Sequence, residues 1–333
     1  MIPDTTPRFV NPEAAHIAQQ VFGLAASVAS LPSERDQNFL LDTVGGGRFV
    51  LKIAKSDEDR GVLEFQNAAL KQVAARAPAL AVPRLFPTRL GEDLTQIRDQ
   101  RGRAHYVRLI GWLEGTMLAD TGPHDESLLA SLGATIAALD RALLGFSHAA
   151  MHRELHWNLR RADLALEHLS LLPAEQQRVV HSVMRGWSEI DWRELRHGVI
   201  HGDANDHNVL VRQGRVAGLI DFGDLVHSAI VCELAIALAY AMLAKPRPVD
   251  VAGTIVRAYH DRFPLEGAEL EALYPLIGAR LCMSVCYAAY NARVKSADAY
   301  QQVTAGPAWS LLQQWAELSP ELVRAAWRHA CGS

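Results

Sequence analysis

His201-Gly202-Asp203-Ala204-Asn205-Asp206-His207-Asn208-Val209-Leu210-Val211 is followed, after the turn Arg212-Gln213-Gly214-Arg215, by Val216-Ala217-Gly218-Leu219-Ile220-Asp221-Phe222-Gly223-Asp224. An aspartate, an asparagine five residues on and a second aspartate beyond two apolar runs is the spacing that sets one base and two oxygen ligands around a triphosphate. Asp203 would accept the proton of an attacking hydroxyl and hold that hydroxyl in line. Positioning is the larger of the two effects, because the transition state of phosphoryl transfer is loose. Asn208 offers a neutral oxygen and Asp221 a charged one, a pair suited to Mg²⁺. Val209–Val211 and Val216–Ile220 would form a hairpin that carries both ligands to one rim. His201 is assigned to bracing the loop. Any one of these residues alone would be ordinary turn chemistry, and only their joint spacing points to phosphoryl transfer.

The composition narrows the acceptor. A chain of 333 residues with 49% apolar content can bury a large core, in one domain or two lobes. A net charge of −4, from 33 basic and 37 acidic residues, argues against a nucleic-acid or anionic-membrane surface. Cys232, Cys282, Cys286 and Cys331 sit in apolar or terminal contexts. The start Met1-Ile2-Pro3-Asp4 lacks the pattern of a secretory signal, so a reduced, cytoplasmic protein is expected. The apolar run Ala229–Ala244, interrupted by Glu233, is too short for a bilayer span and reads as a core helix.

Upstream, residues 11–21 have helical spacing and Leu24–Leu31 reads as a strand. Asn38–Thr43 and Arg48–Ala54 read as two strands joined by Gly45-Gly46-Gly47, which is a hairpin turn and not a phosphate cradle. The loop placed to cover phosphates is Pro32–Gln37, which has no G-x-G-x-x-G and would use Ser33 and backbone amides. Lys52 lies on an apolar strand, where it could meet the α- and β-phosphates or simply face solvent. A helix over Asp59–Ala75 carries Glu64, whose carboxylate could hold Lys52 extended, with Glu58 as a competing partner.

Short strands near 85–89, 94–98 and 104–109 would complete a small sheet, after which the chain turns to helix. The lobe boundary is placed there, giving an N-terminal nucleotide-binding lobe over 1–111 and a C-terminal catalytic and substrate-binding lobe over 112–333. Backbone groups at Trp112 and Leu113 would then meet the nucleotide base, or merely end a strand. Helices are expected at 125–144, 158–171 and 175–190. His148, His152 and His156 recur every four residues, but without acidic or cysteine partners they read as surface or cleft-edge histidines. Asp206 and Asp224 could assist the metal or face a cationic group of the substrate. The apolar helix follows Asp224 within a few residues and no Ala-Pro-Glu appears, which leaves no room for a peptide-docking activation segment. The acceptor is therefore expected to be a small molecule.

On His201-Gly202-Asp203, Asn208 and Ile220-Asp221-Phe222, the sequence resembles the aminoglycoside phosphotransferase and choline kinase superfamily. With Leu31-Pro32-Ser33-Glu34-Arg35-Asp36-Gln37-Asn38-Phe39 and Gly223-Asp224 added, it is most similar to the hydroxylysine kinase branch, over residues 20 to 245. The resemblance implies an α+β, two-lobed protein-kinase-like fold, with a small β-sheet lobe carrying one helix and a larger, mostly helical lobe. It implies Asp203 as base, Asn208 and Asp221 on magnesium, Lys52 and Glu64 at the phosphates, and ATP or GTP as donor. The implied acceptor is a hydroxyl of an amine-bearing substrate such as hydroxylysine or another hydroxylated amino acid or amino alcohol, with aminoglycoside or homoserine as alternatives. A nucleotide-binding scaffold without catalysis is the competing reading of another class. Asp206, Asp224 and Glu233 are the acidic candidates for the substrate ammonium, and Trp157, Tyr240, Tyr287 and Tyr290 the aromatic ones. Protein partners are left open.

Overall fold

Alternation of buried and exposed residues builds the first sheet. The computed structural model describes residues 5–33, 36–294 and 299–332. It divides into two compact units, Met1–Glu114 with His148–Ala150, and Gly115–Ser147 with Met151–Ser333.

The first unit opens with helix α1 (Asn11–Ile17), where Glu13 accepts the Val10 N–H, and a π-helical turn over Ala18–Phe22 that ends at Gly23. Strands β1 (Ala26–Leu31), β2 (Gln37–Thr43) and β3 (Arg48–Ile53) form the expected meander. Its second turn is the triple glycine, with the Gly46 N–H on the Thr43 carbonyl. Helix α2 (Arg60–Arg76) begins with the Asp59 carboxylate accepting the Gly61 N–H. Strands β4 (Leu85–Phe86), β5 (Thr95–Arg98) and β6 (Ala104–Gly111) complete the antiparallel sheet in the order β1-β2-β3-β6-β4, with β5 on β6. Phe39, Leu41, Leu51, Ile53, Val107 and Leu109 point to one face and pack with Phe9, Ala14, Ile17 and Phe22. Because side chains alternate along a strand, Lys52 and its register partner Arg108 share the opposite face.

The second unit is mainly helical. Strand β7 (Thr116–Met117) precedes helices α3 (Glu126–Leu143) and α4 (Ala174–Ser188). The helix expected at 158–171 is instead a 3₁₀ segment, Leu159–Leu171, broken by non-helical Arg161. Four short strands follow: β8 (His197–Ile200), β9 (Val209–Arg212), β10 (Arg215–Leu219) and β11 (Val226–Ala229). The β9–β10 turn has positive φ at both Gln213 and Gly214, the mirror-image turn that matches strand twist. The lead-in Val199-Ile200 is a strand paired antiparallel with β11, with Ile200 opposite Val226. These two ladders bring residues 201–208 and 220–225 side by side.

Helix α5 (Val231–Ala241) is buried nearly throughout, as its apolar run predicts. Helices α6 (Pro248–His260), α7 (Gly267–Val294), α8 (Ala299–Glu317) and α9 (Pro320–Ala330) close the unit. Gly133 of α3 lets α6 approach closely, since a Cβ there would lie 2.2 Å from the Ile255 carbonyl oxygen. Helix α7 is long and apolar enough to cross a bilayer, but 78% of that stretch is buried, and it packs on α4, α5 and α8.

Candidate active site

Asp203 follows β8 through Gly202, whose φ of +81° turns the chain sharply. Both oxygens of the Asp203 carboxylate are held. Asn208 Nδ2 donates to Oδ2 at 2.8 Å and also to the Asp203 carbonyl at 2.9 Å, while Arg280 donates to Oδ1 at 3.0 Å. The side chain keeps 23% exposure. Loss of water around the carboxylate pushes its pKa up to about 7; Arg280 and a hydrogen bond from Asn205 pull it down, while Asp224 and Asp221 add to the rise.

His201 braces the loop as expected. It is fully buried, with Nε2 3.0 Å from the Ile220 carbonyl, Nδ1 accepting the Asp203 N–H at 3.3 Å, and its ring edge against Phe222. Those partners assign the proton to Nε2. Asn205, which the sequence reading passed over, accepts the N–H groups of His207 and Asn208 and shapes the turn between base and asparagine.

The donor set fits a hard divalent ion. Because Nδ2 of Asn208 serves Asp203, its Oδ1 is the atom left for a ligand. Asp221 is exposed at the rim, in the left-handed region at φ +58°, with one oxygen accepting the Gly223 N–H. A non-glycine residue in that conformation is strained, and such strain gathers at functional sites.

Glu233 does not serve as a substrate carboxylate. It is fully buried on α5 and accepts the Gly202 N–H at 2.8 Å, so it anchors the catalytic loop from below. Burial raises its pKa, and His201 and the backbone donors oppose that rise. Asp206 is 15% exposed, 3.2 Å from His207 Nδ1, and its charge opposes the burial-driven lowering of Lys245. The Asp224 backbone packs on the catalytic loop, where a Cβ at Gly202 would lie 2.5 Å from its carbonyl oxygen, and its charge is felt at Asp203.

The aromatic candidates are already occupied. Trp157 and Tyr240 carry the Arg280 guanidinium at 4.6 and 5.3 Å from their ring centres. Tyr287 donates to the His156 carbonyl and Tyr290 stacks on His168. The three spaced histidines diverge, because the segment is not one helix: His148 stacks on Phe65, His152 packs near His227, and His156 is exposed. No cluster able to hold a metal forms among the described side chains of this type.

In the first unit Lys52 lies on β3 opposite Arg108. Glu64 does not pair with it. It lies on an outer stripe of α2, 46% exposed and bonded to Arg60 at 2.8 Å, beside a shallow groove of about 260 Å³ that Lys71, Glu92 and Asp93 also line. Glu58 lies near Lys55 instead. The sheet-facing stripe carries Gln66 and Asn67, both buried, which accept from Arg108. The Trp112 N–H is taken by the Arg48 carbonyl, and the Arg48 guanidinium covers its ring at 4.8 Å. Leu113 is half-buried beside it, and Ser33 is exposed in a loop whose Glu34 and Arg35 fall outside the described residues.

Residues 27–275 match the model of the phosphotransferase enzyme family. The chain belongs to this family. It is 30% identical to hydroxylysine kinase of Mus musculus, over 96% of this chain and 93% of that one. Two solved structures share the fold across nearly their whole length. Amicoumacin kinase, in complex with AMP-PNP, Ca²⁺ and Ami, aligns at TM-score 0.71 and 14% identity over 95% of this chain and 97% of that one. A microcompartment-associated aminopropanol kinase aligns at 0.65 and 18% over 95% and 98%. The two-lobed kinase-like architecture follows, and the phosphotransferase acts on a hydroxyl acceptor of small-molecule size.

The sequence reading missed Arg280 in this phosphotransferase. One signal was present: a lone charge inside the apolar stretch Leu276–Tyr287 is rarely buried without a partner.

Proposed function

We propose that this phosphotransferase moves the γ-phosphate of ATP or GTP, with Mg²⁺, to a hydroxyl of an amine-bearing small molecule of the hydroxylysine type. The observation that carries the reading is Asp203, held at both oxygens and left with a lone pair for an incoming hydroxyl. In this reading Asp203 orients the acceptor and takes its proton as the hydroxyl oxygen bonds to the γ-phosphorus, while the bond from that phosphorus to the bridging oxygen breaks and the nucleoside diphosphate leaves. Asn208 Oδ1 and Asp221 would hold the divalent ion, which when bound neutralises charge on the phosphate oxygens. Lys52 would meet the α- and β-phosphates, the amides near Ser33 would cover them, and the backbone at Leu113 would face the base. Asp224, beside Asp203, is the carboxylate best placed for an ammonium close to the reacting hydroxyl, and Asp206 borders the same loop. The first unit would then serve the nucleotide and the second the acceptor, in a cytoplasmic enzyme.

An acceptor panel tests this: hydroxylysine, homoserine, aminopropanol and an aminoglycoside, each with labelled ATP and GTP. Transfer to hydroxylysine well above the others supports the reading, and a preferred homoserine or aminoglycoside replaces its acceptor. Nucleotide binding with no transfer to any hydroxylated amine would favour a silent scaffold.

A further inference from the structure

Arg280 sits where three elements of the second unit meet the base. It comes from the middle of α7 and is 2% exposed. Its guanidinium donates to the Trp157 carbonyl at 3.2 Å, the Tyr240 hydroxyl at 3.3 Å and Asp203 Oδ1 at 3.0 Å. Trp157 and Tyr240 flank it with their ring faces. Trp157 precedes the 3₁₀ segment and Tyr240 belongs to α5, so a rigid fork ties α5, α7 and that segment to one carboxylate oxygen.

A carboxylate on a single-bonded stem rotates unless both oxygens are held. The loop holds Oδ2 through Asn208 and adds a hydrogen bond from Asn205. Arg280, reaching in from α7, holds Oδ1 and so fixes the plane of the carboxylate. In phosphoryl transfer the base acts mainly by aligning the hydroxyl, so the orientation of its carboxylate plane governs turnover.

We propose that Arg280 is a positioning residue for the phosphoryl-transfer reaction: clamped by Trp157 and Tyr240, it fixes the plane of the Asp203 carboxylate together with Asn208. The proposal rests on the reading of Asp203 as the base. It has a second consequence. One face of each of Trp157 and Tyr240 is taken by the chain's own cation, whose charge disfavours a substrate ammonium on the same rings.

The test uses the full chain as wild type, R280M, R280K, D203N and the double variant D203N/R280M. Turnover is followed with hydroxylysine and, independently of the acceptor, as nucleotide hydrolysis. R280M should lower kcat at least about tenfold with the nucleotide KM unchanged, because the interaction is made with the base and not with the nucleotide. R280K keeps the charge but not the fork, and its kcat should fall between the two. In the D203N background, adding R280M should cost less than about threefold, since the group it positions is already altered. Equal losses in both backgrounds, or a wild-type kcat in R280M, would overturn the proposal. Should R280M not fold, R280K carries the test alone: several-fold lower kcat at unchanged nucleotide KM supports it, and wild-type kcat overturns it. D203N with turnover close to wild type, or a wild type that turns over neither acceptor nor water, overturns instead the reading of the base.

Discussion

Asn208 donates from one nitrogen to both the carbonyl and the carboxylate of Asp203, at 2.9 and 2.8 Å. Its side chain therefore has two duties, holding the base through Nδ2 and presenting Oδ1 outward. The two are separable. N208D offers a better oxygen to a divalent ion but loses the donor and sets two carboxylates in contact, which would then share a proton. N208D should lose at least about a hundredfold in kcat even at saturating Mg²⁺. Turnover close to wild type would mean that Asn208 acts only as a ligand.

Gly202 is where the loop has least tolerance. Its φ of +81° favours glycine, and an added Cβ would meet the Asp224 carbonyl oxygen at 2.5 Å, a backbone atom that cannot swing away. G202A should cost about 2 kcal/mol or more in stability and separate the two loops that carry Asp203 and Asp224. Urea unfolding and kcat should both register it; a variant with unchanged kcat would show that the loops tolerate the shift.

The legible parts of this protein were those whose contacts lie close in sequence. The spacing of Asp203, Asn208 and Asp221 could be read because one hairpin joins them, and the meander because β1, β2 and β3 pair as neighbours. Arg280 meets Asp203 across 77 positions, and Glu233 meets Gly202 across 31, so no local pattern announced either. Glu233 looked like a substrate carboxylate only because its burial was invisible. Glu64 failed for a different reason. It was assigned from its place in a helix without regard to phase: Leu63, Gln66, Leu70 and Val73 mark the buried stripe, and Glu64 lies about 100° away from Leu63.

That phase has a functional consequence. Glu64 holds Arg60 at the surface, and exposed pairs of this kind contribute little. E64A should leave kcat and nucleotide KM within about twofold of wild type. Lys52→Met should instead raise the nucleotide KM or lower kcat at least about tenfold, because its register partner Arg108 cannot replace the ammonium, being buried and committed to Gln66 and Asn67. A strong defect in E64A, measured side by side with K52M, would restore the lysine–glutamate pairing that the structure replaces.

Arg196 and Glu269 tie the start of β8 to the start of α7. Arg196 donates Nε to Glu269 Oε1 at 2.9 Å and a second nitrogen to Oε2, and Glu269 is fully buried. R196M leaves that carboxylate without its partner and should cost about 2–4 kcal/mol, less than a wholly buried pair because Arg196 keeps 28% exposure. Thermal unfolding measures it. A shift of Tm within error would mean that the pair adds nothing to the stability of the fold.

His227 should make the fold sensitive to mild acid. It lies on β11 opposite Val199, its ring 4.7 Å from His152 and 6.0 Å from His197. Burial lowers its pKa, and the charges of His152, His197 and Arg160 lower it further. The folded chain thus keeps this imidazole neutral at pH values where an unfolded chain protonates it. An unfolded chain that binds more protons gains on the folded one as pH falls. The stabilising contribution is complete above the ordinary histidine value of about 6.5 and is lost as pH drops through it toward the lowered folded value. H227Q removes the titration. Wild type should therefore lose more Tm than H227Q between pH 7.5 and pH 5.5, and equal losses would place the acid sensitivity on other groups.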